Sequence, residues 1–154
     1  MIKMIDLSEF GYTNFEKSKE ENWNKYKLED RSAILVKLVL FWVRLLEKDR
    51  EYNLKYSCKT DIIPVPAPDL CGKPDSRKYT EKELRESIVD EGIGFDSVDE
   101  SWNEYLLEHG IRLKIKPLLS KVSRTDKFND RGEPLYIVEY HEPQTELDKV
   151  KYST

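Results

Sequence analysis

Cysteine and histidine are scarce in this chain of 154 residues, which holds only Cys58, Cys71, His109 and His141. Two of each would suffice for a Cys₂His₂ zinc site, but no two stand at the close spacing that zinc ligands use. A disulfide between Cys58 and Cys71 would cross-link the two sides of a proline tract, and a mesophilic cytosol would keep it reduced. The favoured reading of both is a small, partly buried side chain. We therefore expect no metal and no cofactor. Glycine is equally sparse, at six. Cys71-Gly72-Lys73-Pro74 lacks both the upstream glycine and the following Ser or Thr of a phosphate-cradling loop, and HExxH and GxSxG are absent. His141, between Glu139 and Glu142 with one residue intervening on its N-terminal side, is the one candidate general base. No catalytic residue is assigned, and a small enzyme ranks third among the readings.

The start, MIKMIDLSEFGY, has no apolar core of signal-peptide length, and neither end carries a lipidation motif. The expectation is a cytoplasmic protein with no membrane partner. Alanine occurs twice and glutamine once, which leans towards a heat-adapted source or an AT-rich genome.

What the chain does have is charge and one apolar run. Charged residues are 36% of the composition, hydrophobic ones 38%, and the net charge is −4, which argues against a generic polyanion binder. Ala33 to Leu46 reads AILVKLVLFWVRLL, interrupted only by Lys37 and Arg44. Seven positions apart, those two charges fall nearly in line on a helix, so the segment reads as a helix buried on most sides, extending from about Glu29 to Glu51. That helix would place Val39 and Trp42 alike in the core. It is too short for a bilayer, which needs about 18–20 apolar residues.

Around it the expected order is a weakly amphipathic helix over 14–28 and a short strand over 52–57. A proline-rich loop follows over 58–79, then a helix opened by the capping box Thr80/Glu83. A second box, Ser97/Glu100, opens another helix whose stripe is Val98, Trp102, Tyr105, Leu106 and His109. Ile111 to Lys116 alternates as a strand, Leu118 to Arg124 continues it, and a turn over 125–133 leads into a strand over 135–140; 144–154 is a flexible tail. The whole, 1–154, is one α+β domain: a central buried helix, packed flanking helices and a small antiparallel sheet with a C-terminal β-hairpin, about 45% helix and 20% strand. Two helices before a hairpin also give a winged-helix-like outline.

Charge is unevenly placed. Between Tyr79 and His109 ten acids face two bases, and between Gly110 and Gly132 seven bases face two acids. The leading reading is a small non-enzymatic interaction protein, an adaptor, inhibitor or assembly subunit that binds a protein partner of unstated identity. Its surfaces would be the proline-rich loop, through Ile62, Ile63, Val65 and Leu70, and an acidic helix face of Glu100, Glu104 and Glu108. The alternative is nucleic-acid binding through Arg112, Lys114, Lys116, Arg124, Lys127 and Arg131 of the hairpin. Mutual neutralisation of the two charged regions is the bland competitor to both.

Overall fold

The computed structural model describes residues 10–150, and 62% of them are strand against 9% helical. The α+β expectation, its central helix and the winged-helix-like outline are all overturned: the chain forms two antiparallel sheets. In chain order these use β1 (Phe15–Lys17), β2 (Asn24–Leu28), β3 (Ala33–Lys48), β4 (Glu51–Val65), the short helix α1 (Glu81–Glu86), β5 (Ile88–Asp90), β6 (Phe95–Asp99), β7 (Asn103–Leu107), β8 (Ile111–Phe128) and β9 (Pro134–Lys149).

The run read as a helix is β3. Ile34, Val36, Leu38 and Leu40 point inward and are at most 6% exposed, while Leu35, Lys37, Val39 and Phe41 point outward. A strand with apolar side chains on both faces has the composition of a buried helix, and β-branched and aromatic residues tip it to strand. Asp49 and Arg50, at φ 54° and 67°, form a two-residue turn into β4, which pairs with β3 along its whole length. Phe41 is an extra residue in this ladder, and the bulge returns Val43 to the core.

The other helices fare similarly. Thr80 and Glu83 do form the capping box, but the helix ends at Glu86. The Ser97/Glu100 box caps nothing: Ser97 lies in β6, and Asn103, Tyr105 and Leu107 alternate inward along β7. The N-terminal segment supplies β1 and β2 in place of a helix.

One sheet runs β4-β3-β2-β6; in the other β8 is flanked by β9 on one side and by β7 and β5 on the other, with β1 beyond β7. Their inner faces share two cores. Leu38, Leu40 and Val43 meet Tyr105, Leu107, Ile111, Leu113 and Ile115 in one, and Tyr26, Leu28, Ile34 and Val36 meet Ile93 and Val122 in the other. Pro117, without an N–H to donate, sits at an irregularity of the β8–β9 ladder between the β8 residues of the two cores. The expected strand alternation from Ile111 to Lys116 holds, but the hairpin is longer than expected. Of residues 144–154, expected to be a flexible tail, 144–149 pair with β8 from Ile111 to Lys116, and 151–154 lie outside the described residues.

Residues 58–65, expected in a loop, belong to β4, so the proline-rich connection begins at Pro66. It is a strap fastened to both hairpins. Ala67 is buried and its N–H donates to Ser32 Oγ at 2.9 Å. Gly72 N–H donates to the Gly132 carbonyl at 2.8 Å and Asp75 N–H to the Asn129 carbonyl at 2.9 Å. Gly132 has φ +79°, and a Cβ there would stand 2.4 Å from the Gly72 carbonyl oxygen. Gly132→Ala is therefore expected to cost about 2–4 kcal/mol in a urea melt, from backbone strain plus a clash with another backbone. Gly92→Ala, at φ +62° with only the end of Lys121 nearby at 3.7 Å, should cost about 1 kcal/mol.

Candidate interaction surface

Two buried polar knots tie the sandwich together. The Glu21 carboxylate, 6% exposed, accepts from Leu40 N–H at 2.8 Å and Tyr105 Oη at 2.5 Å, and pairs with Lys17 at 3.0 Å. Leu40, whose N–H it takes, immediately precedes the register shift at Phe41. Burial alone would raise the Glu21 pKa, but the hydrogen bonds from Tyr105, Leu40 and Lys17 outweigh it and hold the carboxyl below its ordinary range. Asp30 accepts from Ser32 N–H at 2.9 Å, Tyr136 Oη at 2.8 Å and Arg124 at 2.9 Å. Burial opposes, and these donors again win and lower its pKa. Burial pushes the Tyr136 phenol up to about 12. Ser32, 1% exposed, is committed to Ala67 N–H and Tyr136. Every group here has a partner inside the fold, so these knots read as structural.

The six candidate nucleic-acid-binding bases of the hairpin are matched by acids. Lys116 lies 2.9 Å from Glu100, Lys114 4.0 Å from Glu104, Arg112 2.7 Å from Asp148 and Arg124 2.9 Å from Asp30. Lys127 lies 3.5 Å from Asp126 and Arg131 2.8 Å from Glu133. The acidic trio is not a helix face. Glu104 stands on β7 directly across from Lys114, Glu100 precedes that strand and also accepts from Tyr26 Oη, and Glu108 follows it and accepts from Asn14 N–H. The two oppositely charged regions thus meet at Glu100 and Glu104, while Arg112, Arg124, Lys127 and Arg131 pair with acids from elsewhere in the chain.

Of the apolar loop residues, Ile62 points inward against the second core and Leu70 is half-buried in the strap. Ile63 and Val65 point outward, 45% and 46% exposed. The structure places them beside residues that the helical reading concealed. Val65 is opposite Ala33 and Ile63 opposite Leu35, then come Lys37 with Asp61 and Val39 with Lys59, and Phe41, 53% exposed, ends the row. Trp23 lies beside it, with Lys37 Nζ 5.8 Å from its ring centroid. Lys25 and Lys27 of β2 are exposed on the same side. The outer face of the four-stranded sheet is therefore an apolar stripe bordered by lysines and by aspartates opposite them, Asp61 beside Lys59, Asp96 across from Lys27 and Asp99 across from Lys25. A period-two reading of 33–41 was the signal that could have found Leu35, Val39 and Phe41.

Cys58 lies on the inward side of β4 and Cys71 in the strap, both as free thiols. Among the described residues, no group of three or more His, Cys, Asp or Glu is placed to hold a metal ion. His141 is exposed on β9, and among the described residues no carboxylate holds its ring; His109, also exposed, takes φ 63° in the turn before β8. No helix among the described residues is long and apolar enough to cross a membrane. Comparison with known proteins finds no matching family model, curated protein or solved structure.

Proposed function

We propose that the protein is a small interaction protein, an adaptor, inhibitor or assembly subunit, that docks a protein partner on the outer face of its four-stranded sheet. One observation carries this reading: the most apolar strand of the chain buries one face and leaves Leu35, Val39 and Phe41 on the other, continuous with Ile63 and Val65 of β4. A sheet covered on one side alternates apolar with polar residues, and apolar residues on both sides mark a second face that becomes covered. Covering the exposed half of Phe41, Ile63 or Val65 contributes about 1 kcal/mol each. The margins carry both signs, with Lys59 3.0 Å from Asp61 and Lys25 and Lys27 across from Asp99 and Asp96, so the apolar stripe rather than its charge selects a partner that presents apolar side chains. The nucleic-acid alternative finds less support, because each of its six candidate bases already has a carboxylate partner.

The test is co-purification from the native source with wild type, Phe41→Glu/Ile63→Glu, and the control Glu104→Ala/Glu108→Ala. All three are expected to melt cooperatively, and only the first variant should lose the partner. A partner that survives the face variant, or that disappears with nuclease, overturns the reading.

A further inference from the structure

We infer that the open edge of β4 pairs antiparallel with the same strand of a second copy, on a two-fold axis at Cys58, to make one continuous sheet. This edge is a surface distinct from the outer face above. Sheet edges usually defend themselves by shortness, proline or bulges. Of the outermost strands, β1 and β5 have three residues each and β6 five. Strand β9 is long, but Pro143 interrupts it and its ladder to β8 shifts register at three places. Strand β4 has fifteen residues, and the single shift in its ladder comes from the extra residue on β3. From Glu51 to Ile63 it contains no proline. Among the described residues it is the one long, regular, unpaired edge.

Its pairing groups are ordered for use. Lys48 and Glu51 flank the two-residue turn and so form a hydrogen-bonded pair, which directs odd-numbered residues of β4 to β3. Even-numbered residues from Tyr52 to Ile62 then aim N–H and C=O at the open side. Their side chains point into the sandwich yet are only partly buried at Tyr52, Leu54, Tyr56 and Cys58, whereas Leu38, Leu40 and Val43 on neighbouring β3 are at most 6% exposed. A cleft of about 580 Å³ lies there, with Glu142 and Pro143 on its far wall.

The sequence of β4 selects a second copy as the occupant. Cys58 is the midpoint of Glu51–Val65, so a dyad there overlaps the two strands completely. It sets Lys55 opposite Asp61 on the outer side and Leu54 opposite Ile62 on the inner side, each twice by symmetry. Moving the dyad to Ser57 opposes Lys55 with Lys59, and moving it to Lys59 opposes that lysine with itself. Self-complementarity of this kind fits an isologous interface.

In such a pair the two Cys58 Cα atoms stand about 5.5 Å apart, within disulfide reach. The experiment uses the full chain carrying Cys71→Ser. Two equivalents of copper(II)–phenanthroline, each taking one electron while the two thiol protons pass to the buffer, should join Cys58 to Cys58 of the partner subunit, giving a reducible dimer on denaturing gels. Sedimentation at micromolar concentration should show twice the monomer mass. Thr60→Pro removes an N–H that faces the open edge, so the monomer keeps its fold while association weakens at least ~10-fold. Lys55→Asp and Asp61→Lys should each weaken the dimer, and the two together should restore it. A monomeric wild type, a dimer indifferent to Thr60→Pro, a swap without rescue, or a dimer in which Cys58 does not cross-link overturns the proposal.

Discussion

Leu38→Asp should abolish folding, whereas its neighbour Val39→Asp should give a soluble protein with a cooperative melt. Leu38 is 1% exposed between the sheets, so an aspartate there loses the burial of a large side chain and strands a carboxylate in the core. The combined cost, on the order of 5 kcal/mol or more, reaches the lower end of the 5–15 kcal/mol that holds a typical domain. Val39 is only partly buried on the outer face, directly across from Lys59. An aspartate at 39 meets an opposite charge and should cost no more than about 1 kcal/mol. Trp42 behaves like Val39: it packs outside the core, with its ring centroid 5.3 Å from that of Tyr12 and Arg44 alongside. Thermal melts followed by circular dichroism separate the cases. Equal loss at 38 and 39 would mean that both faces of this strand are buried in the isolated protein.

That pair of substitutions also locates where the sequence misleads. Period two is present in AILVKLVL, but alternation shows only when one face is polar, and here just Lys37 marks it. Arg44 lies beyond the Phe41 bulge, which reverses inward and outward, so the two charges fall into helical line by accident of one inserted residue. Local signals fail differently at Ser97 and Glu100, where a capping pair exists but the following residues bury Asn103, Tyr105 and Leu107 at period two. Where one face is charged the pattern is plain: Arg112, Lys114 and Lys116 against Ile111, Leu113 and Ile115 identify the first part of β8. The turn at Asn129 to Gly132 identifies the hairpin. The candidate surface was half legible. Ile63 and Val65 stand out beside the prolines, but their neighbours Leu35, Val39 and Phe41 join them only through the β3–β4 ladder. The matching of hairpin bases with acids follows from strand adjacency in the same way, with Glu104 and Lys114 brought face to face by register.

Glu21→Ala is expected to cost about 2–5 kcal/mol, from the two buried donors that it leaves without an acceptor. The loss would leave Leu40 N–H and the Tyr105 hydroxyl without an acceptor inside the core, while Lys17, at the surface, simply returns to water. Glu21→Gln discriminates the mechanism. Both buried donors converge on one carboxylate oxygen, so an amide can present its carbonyl to them and its NH₂ to the outer side that Lys17 vacates. Its cost should be only about 1–2 kcal/mol. The acid limb of the stability curve gives a second readout. A carboxyl whose pKa is depressed by folding contributes its full stability above the unfolded value, near 4.3 for Glu, and loses it as pH falls through the folded value. The unfolded chain takes up the proton first, so acid favours unfolding. Wild type should therefore lose stability steeply from about pH 5 downwards, and Glu21→Gln should show a shallower slope with the Asp30 contribution, of the same sign, still present. Identical slopes would show that the Glu21 carboxylate is not held by these donors, and the bulge at Phe41 would then need another support.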